Sequence, residues 1–240
     1  VQAGYTRRLD KDCYVDFDRI FAVSDETAGV LAGVYPECQQ KLSVFHNLID
    51  TEAIRQKALL PAEKSMHEGI RLLTVGRLTP QKGFDCAVYA LKLLLEKQYP
   101  VYWYIIGEGP EYGRLTQLAR SLHVEDHFIF LGMQTNPYPY FKMADFYIHA
   151  TRFEGKSIAI QEAQVLGCAI AASDCSGNRE QIVSGVDGLL CPFSPEGIAN
   201  AVEYLIEHPQ TAQSFGSAAA QKACHFENDI HMIRDLLYSP

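Results

Sequence analysis

The chain has 240 residues, of which 48% are hydrophobic and 21% are charged, a composition typical of a globular protein and not of a disordered one. Its formal net charge of -8 argues against nucleic acid or an anionic membrane as a bulk electrostatic partner, although a local basic site can still hold a phosphate. No apolar segment approaches the roughly 18 residues of a membrane-spanning helix, and the N-terminal residues do not resemble a signal peptide, so we expect an intracellular protein.

The first fifty residues predict the end of an α/β domain. Apolar strands are predicted over 20–24 and 41–45, with a helix over 25–35 that Ser24 or Asp25 caps. Two strands and one helix cannot cover both faces of a sheet. We therefore interpret 1–50 as the C-terminal remnant of a larger N-terminal domain, and the chain, which does not begin with Met, as a fragment. The polar, weakly patterned residues 51–68 are predicted to be a linker.

From residue 69 onward, strands that are apolar throughout alternate with amphipathic helices. The predicted strands cover 70–75, 101–106, 127–131, 146–149, 169–172 and 188–191, and the predicted helices cover 85–96, 111–122, 138–143, 158–166 and 178–184 and begin near 195, 209 and 226. This alternation predicts a doubly wound, Rossmann-like parallel sheet over 69–240. Ligands of such sheets bind at the carboxyl ends of the strands.

The stretch from 151 to 167 predicts a polar turn between a strand and a helix. Gly155 permits a tight turn, and the free N–H groups at the start of the following helix favour an anion such as phosphate. Glu154 lies in the turn, and Glu162 lies eight residues later on an otherwise apolar helix face. Sugar hydroxyls can donate hydrogen bonds to such carboxylates. The alternative is that one acid favours the helix dipole and the other lies at the solvent edge.

The turns after the preceding strands also carry polar chemistry. Arg77 and Lys82 follow the first of these strands after Gly76, at a spacing that permits both to face one diphosphate, although two basic residues in a loop are more often solvated surface. Glycines follow the next two strands and let the main chain approach a base or ribose. They are Gly107, Gly109 and Gly132.

The seven cysteines indicate neither a metal site nor a disulfide framework. They are odd in number and scattered, and no two form a C-x-x-C pair, so we expect reduced and mostly buried thiols and no bound metal. Their positions are 13, 38, 86, 168, 175, 191 and 224.

Taken together, the motifs resemble the donor-binding half of the family-four retaining glycosyltransferases. The resemblance is strong over about 69–205 and loose over 20–50, and the two glutamates combined with the basic turn are its most specific part. The matching segments are Gly76-Arg77…Lys82-Gly83, Gly107-Glu-Gly109, Phe130-Leu-Gly132, Asn136-Pro-Tyr-Pro-Tyr, Ala144-Asp145, Glu154-Gly155…Glu162-Ala163, Gly177-Asn-Arg-Glu-Gln-Ile182 and Gly185-Val-Asp-Gly188.

The resemblance implies a two-domain GT-B fold and metal-independent transfer of a sugar, with retention, from a nucleotide-sugar donor. By the same resemblance, Arg77 and Lys82 neutralise the leaving diphosphate, Glu154 binds the donor sugar and Glu162 binds the nucleotide ribose. Main-chain N–H groups of Gly155, Lys156, Ser157 and Ile158 reach the phosphate or sugar. Gly132 and Met133 line the base site, with uracil favoured over guanine.

One departure concerns Lys156 and Ser157, which replace the family's more frequent Phe-Gly after Glu154-Gly155 and resemble bacterial surface-polysaccharide transferases. Most of the acceptor domain is missing, so we expect the chain to bind donor but to transfer poorly alone. The implied acceptor is a glycan or a lipid-linked saccharide. The implied location is the cytoplasm, with peripheral association of the full-length protein with the inner face of the membrane.

Three other functions remain open from the sequence. A nucleotide-sugar epimerase can use the same fold, and a non-catalytic nucleotide- or sugar-binding module can retain it. A nicotinamide enzyme is the weakest, because the Gly-x-Gly pattern at 107–113 has one residue too many and Asp126, the only acid at a suitable distance, precedes a strand.

Overall fold

The computed structural model describes residues 13–224, which divide into two compact units before and after Leu48–Ile49. The smaller unit contains two parallel strands, β1 (Ile20–Ala22) and β2 (Leu42–Val44), and helix α1 (Asp25–Val34), followed by a 3-10 turn at Pro36–Lys41. Ser24 caps α1 by accepting a hydrogen bond from the Thr27 N–H at 3.1 Å, as the sequence predicts.

The larger unit is built on a six-stranded, wholly parallel sheet with the order β5-β4-β3-β6-β7-β8. Its strands are β3 (Ile70–Val75), β4 (Val101–Ile106), β5 (Phe128–Gly132), β6 (Phe146–His149), β7 (Ala169–Ser173) and β8 (Leu189–Cys191). The chain winds outward from β3 to β5, returns to the other side of β3 and winds outward again to β8. The predicted doubly wound sheet is confirmed.

Helices cover both faces of this sheet because its strands are apolar on both sides. The helices are α2 (Thr51–Lys57), α3 (Phe84–Glu96), α4 (Tyr112–Ser121), α5 (Tyr138–Met143), α6 (Ile158–Val165), α7 (Ser176–Arg179), α8 (Pro195–Glu207) and α9 (Pro209–Ala223). Alternate residues of one strand enter different cores: Leu72 packs with Trp103 and α3, whereas Leu73 packs with Tyr147 and α6.

The prediction of a helix over 178–184 is wrong, because the helix is the shorter α7 two residues earlier. After it the backbone N–H of Val183 donates to the Asp187 carboxylate at 2.7 Å, and the chain turns through Gly185 at φ +82°. A side chain thus replaces the helical acceptor of that N–H. The helix predicted from 226 lies outside the described residues.

The segment 51–68, predicted to be a linker, contains α2. Ile54 of this helix is buried against Val165 and Ala223, and the Lys57 carbonyl accepts a hydrogen bond from the Asn136 side chain at 2.9 Å. The identity of residues 1–50 as part of an acceptor domain stays a prediction.

All seven cysteines are free, and four of them are buried, in agreement with the prediction. Within residues 13–224, no helix is both long and apolar enough to cross a membrane.

Candidate functional site

The predicted site lies where the winding direction of the sheet reverses. Strands β3 and β6 are parallel neighbours, paired at Leu72 with Phe146 and at Leu73 with Tyr147, yet β4 and β5 separate them along the chain. The helices that follow the two strands leave in opposite directions, which opens a crevice at their carboxyl ends. The basic turn follows β3 and the turn containing Glu154 follows β6, so the fold brings the two predicted motifs to one place.

Hydrogen bonds hold these two loops together. The Thr151 hydroxyl donates to the Gln81 carbonyl at 3.1 Å, and the Gln81 side chain donates to the Phe153 carbonyl at 2.9 Å. On the other side, the Thr151 N–H donates to the Ser173 hydroxyl oxygen at 3.0 Å, and the Asn178 amide donates to the Ser173 carbonyl at 2.8 Å. The turn after β6 is therefore anchored to the turn after β3 and to the end of β7.

Glu154 is the electrostatic centre of the crevice. Its Oε2 forms an ion pair with Lys82 Nζ, and the same oxygen lies 3.4 Å from Nε2 of His149. Burial acts to raise the pKa of Glu154, but the hydrogen bond from His149 and the charge of Lys82 outweigh it and lower this pKa to about 2. Burial also lowers the pKa of His149, whose ring is then neutral at pH 7. The carboxylate is ionised and oriented.

Arg77 behaves differently from Lys82. Its side chain is exposed and makes no hydrogen bond or ion pair with any other residue of the described range 13–224. The aliphatic stem of Lys82, in contrast, packs over Gly76, with Cδ and Cε 3.6 Å from the position that a Cβ would take there. Lys82 is thus held in place, whereas Arg77 is a cation available at the mouth of the crevice.

The start of α6 is shaped by Gln181. Its side-chain oxygen accepts from the Ser157 N–H at 2.7 Å, and its side-chain nitrogen donates to the Ser157 carbonyl at 2.9 Å. The Ser157 N–H is therefore engaged within the protein, which corrects the prediction that it contacts a ligand. The Ile158 N–H has no acceptor within residues 13–224 and keeps the predicted availability.

Glu162 is positioned on α6 by Tyr138, whose hydroxyl donates to its carboxylate at 3.0 Å. Burial raises the pKa of Glu162 despite this hydrogen bond. Burial and the neighbouring carboxylate in turn raise the pKa of Tyr138 to about 12, so this phenol remains a donor. The alternative prediction, an acid at the solvent edge of the helix, does not describe Glu162, which is half-buried.

A cavity of about 500 Å³ lies beside the crevice, between the ends of β4 and β5, and is lined by residues 107–109, Tyr112 and 130–132. Glycine is also required at position 107 for packing, because a Cβ there would lie 2.0 Å from the Gly76 carbonyl oxygen. The backbone φ of Gly107 is +140°, which glycine alone adopts readily. Met133 is not among the lining residues, and its side chain is 72% exposed. That Met133 contacts a bound base stays a prediction.

His149 and Gln181 are the two functional residues that the sequence reasoning passed over. His149 is a polar residue at the end of an apolar strand, immediately before the turn, and this position was the available signal. Gln181 lies in the matching segment 177–182, but its sequence does not reveal the partner Ser157, which is 24 residues away.

The fold is that of the GT-B glycosyltransferases. Anabaena HepE in complex with UDP-glucose superposes with a TM-score of 0.86 at 19% identity, covering 99% of this chain and 68% of that chain. Sucrose-phosphate synthase from Thermosynechococcus elongatus gives a TM-score of 0.83 at 17% identity, covering 98% of this chain and 62% of that one. In open α/β sheets of this kind, ligands bind outside the carboxyl ends of the strands.

The chain belongs to the family described as glycosyl transferases group 1, whose model matches residues 55–222. It is 30% identical over 200 residues to the Campylobacter jejuni N-acetylgalactosamine-N,N'-diacetylbacillosaminyl-diphospho-undecaprenol 4-alpha-N-acetylgalactosaminyltransferase, with 82% of this chain and 53% of the relative covered. An uncharacterized glycosyltransferase from Methanocaldococcus jannaschii is 25% identical over 180 residues, with 73% and 42% covered. The chain thus spans about half the length of these relatives.

Proposed function

We propose that this chain binds the nucleotide-sugar donor of a glycosyltransferase, and that the full-length protein transfers the sugar with retention from a UDP-sugar to a glycan or lipid-linked acceptor. One observation carries the proposal. A half-buried lysine–glutamate pair, Lys82 with Glu154, lies at the reversal point of a doubly wound sheet, beside a cavity large enough for a base.

The cations supply the phosphate-binding part of the proposal. An ammonium group has three N–H donors, and Glu154 takes one donor of Lys82, which leaves two for a diphosphate. Arg77 adds a planar fork from the mouth of the crevice, and the Ile158 N–H adds a donor at the start of α6. These groups stabilise the negative charge that grows on the diphosphate as the sugar–phosphate bond breaks, and we propose that they do so without a metal ion.

The carboxylates supply the sugar-binding part. Glu154 is ionised and has one oxygen, Oε1, without a partner among residues 13–224, so it accepts a hydrogen bond from a donor-sugar hydroxyl. Glu162 and Tyr138 together bind the nucleotide ribose, and the cavity at Gly107, Gly109 and Gly132 takes the base.

The choice of UDP and of a polysaccharide-type acceptor draws on proteins similar to this chain. Anabaena HepE and Staphylococcus aureus TarM have been crystallised with UDP, and the Campylobacter jejuni relative is named for a diphospho-undecaprenol-linked saccharide. Another neighbour, WaaG, is described as involved in lipopolysaccharide biosynthesis. We place the reaction in the cytoplasm, with the full-length protein bound peripherally to the membrane.

Calorimetry of the chain with UDP, GDP and a panel of their sugars tests the donor part. We expect UDP to bind more tightly than GDP and one UDP-sugar to bind more tightly than UDP. Absence of binding to every nucleotide would refute the proposal. The anomeric configuration of the product formed by the full-length protein, read by NMR, tests retention.

A further inference from the structure

His149 is a buried imidazole that the proposed phosphate and sugar contacts do not use. It is the last residue of β6 and is only 2% exposed. Its two ring nitrogens have different hydrogen-bond partners. Nδ1 lies 3.2 Å from the Tyr147 hydroxyl, and Nε2 lies 3.4 Å from Oε2 of Glu154. The three side chains form one chain of hydrogen bonds from the sheet interior to the crevice.

The protons in this chain have only one consistent arrangement. The ionised Glu154 carboxylate can only accept, so Nε2 of His149 carries a hydrogen and donates to it. A neutral imidazole then has a lone pair on Nδ1, which accepts from the hydroxyl of the fully buried Tyr147. Burial raises the pKa of Tyr147 well above its ordinary value, which keeps that hydroxyl protonated.

Burial is the main reason why the His149 ring is neutral, and the charges around it act in both directions. Lys82, from the 3-10 turn after β3, lowers the pKa of His149 together with burial, while Glu154, from the loop after β6, acts in the opposite direction. Tyr147, from the same strand, is the remaining titratable group in hydrogen-bond contact with the ring in the described part of the chain. Burial prevails, and the imidazole serves as a neutral donor.

The contacts of Glu154 are concentrated on one of its two oxygens. Lys82 and His149 both reach Oε2, and within residues 13–224 no group is hydrogen-bonded to Oε1. A carboxylate held through one oxygen has its plane and rotamer restricted while the other oxygen remains free to accept. A carboxylate that served packing alone would not need this fixed orientation.

We propose that His149 is a positioning residue for donor-sugar binding, in which Tyr147 and His149 hold Glu154 by Oε2 so that Oε1 accepts a hydroxyl of the donor sugar. This inference rests on the proposed function, since it assigns a second residue to the same sugar contact. It predicts that replacement of His149 weakens the binding of the donor sugar and leaves the binding of the nucleotide unchanged.

The first test compares UDP with UDP-glucose by calorimetry in the chain and its variants, or with whichever UDP-sugar the panel above selects. His149→Leu should lose at least about tenfold of the affinity that the sugar adds, as for a charge-assisted hydrogen bond, while UDP binding changes by less than about twofold. His149→Gln, which retains a donor, should recover part of the loss. Equal weakening of UDP and UDP-sugar in both variants, or no weakening, would overturn the proposal.

The second test needs no ligand and separates this inference from the proposed function. Long-range hydrogen–nitrogen NMR of the imidazole should show the neutral ring with its hydrogen on Nε2 at pH 7, and the hydrogen should stay on Nε2 in Tyr147→Phe, because the Glu154 carboxylate still accepts from it. A protonated ring at pH 7, or a hydrogen on Nδ1, overturns the arrangement. If the chain with this NMR signature binds no nucleotide, the proposed function fails and the hydrogen-bond chain is purely structural, which also overturns the positioning role.

Discussion

Acid should remove a defined part of the folding free energy through Glu154. The pKa of this carboxyl is about 2 in the folded chain against an ordinary value of 4.5, and its side chain is only 13% exposed. Because the pKa is lower in the folded state, the unfolded chain takes up the proton first as the pH falls. The stabilisation is therefore complete well above pH 4.5 and is lost progressively as the pH falls toward 2.

The size of the effect follows from the two pKa values. A tenfold difference in proton affinity is worth about 1.4 kcal/mol, so the full contribution is about 3 kcal/mol, and about 2 kcal/mol of it is lost by about pH 3. The charged hydrogen bonds from Lys82 and His149 are the physical source of this free energy. They outweigh the desolvation that burial imposes on the same carboxylate.

Urea unfolding of the chain and of Glu154→Gln, followed from about pH 7 to about pH 3, measures this contribution. The variant cannot titrate at this position, so the stability advantage of the unmodified chain should shrink by about 2 kcal/mol over that range. Glu125→Gln, the same change at an exposed residue, controls for the loss of one negative charge. A difference between chain and variant that stays constant with pH would show that Glu154 is not held as the structure describes.

Gly107→Ala should destabilise the fold by at least about 2 kcal/mol, because its Cβ would lie 2.0 Å from a carbonyl oxygen at positive φ. Gly113→Ala, which has nothing within 4 Å of its new Cβ and lies in a helix, should instead stabilise by about 1 kcal/mol in the same unfolding experiment. Lys82→Ala should weaken UDP binding by about 1.5–3 kcal/mol, and an unchanged Kd would contradict its role. Glu162→Ala should weaken UDP and UDP-sugar alike, whereas Glu154→Ala should weaken only the sugar; equal loss of UDP affinity in both would refute this division.

The sheet was predictable because each of its signals is local. The mostly apolar runs at 70–75 and 101–106 become β3 and β4 with the same bounds, since strands buried on both faces need apolar residues at most positions. The end of α6 was also predictable, because Gly167 at φ +69° ends it as its sequence position indicates. The prediction of a helix over 178–184 failed because the Asp187 side chain, in place of a helical carbonyl, accepts the hydrogen bond of the Val183 N–H.

The residue types of the site were predictable from the sequence, but the contacts between their side chains were only partly so. Lys82 was expected to bind the diphosphate and Glu154 the donor sugar, and the structure adds that the two side chains are paired with each other. Arg77 was expected to act on the diphosphate beside Lys82; its side chain is exposed, and its role stays a prediction. Met133 follows Gly132 directly, but its side chain is 72% exposed and does not line the cavity that Gly132 lines.

The sequence by itself determined the alternation of strands and helices, the turns that carry charged residues and glycine, and the family to which the chain belongs. Periodicity and motif spacing are properties of the linear sequence, so they can be read without a structure. Only the tertiary structure decided that His149 supports Glu154 and that Gln181 occupies the Ser157 N–H. These contacts join residues on different elements, and their strength comes from burial, which lowers the dielectric around them and requires that each polar group be paired. Burial of that kind exists only once the sheet has formed.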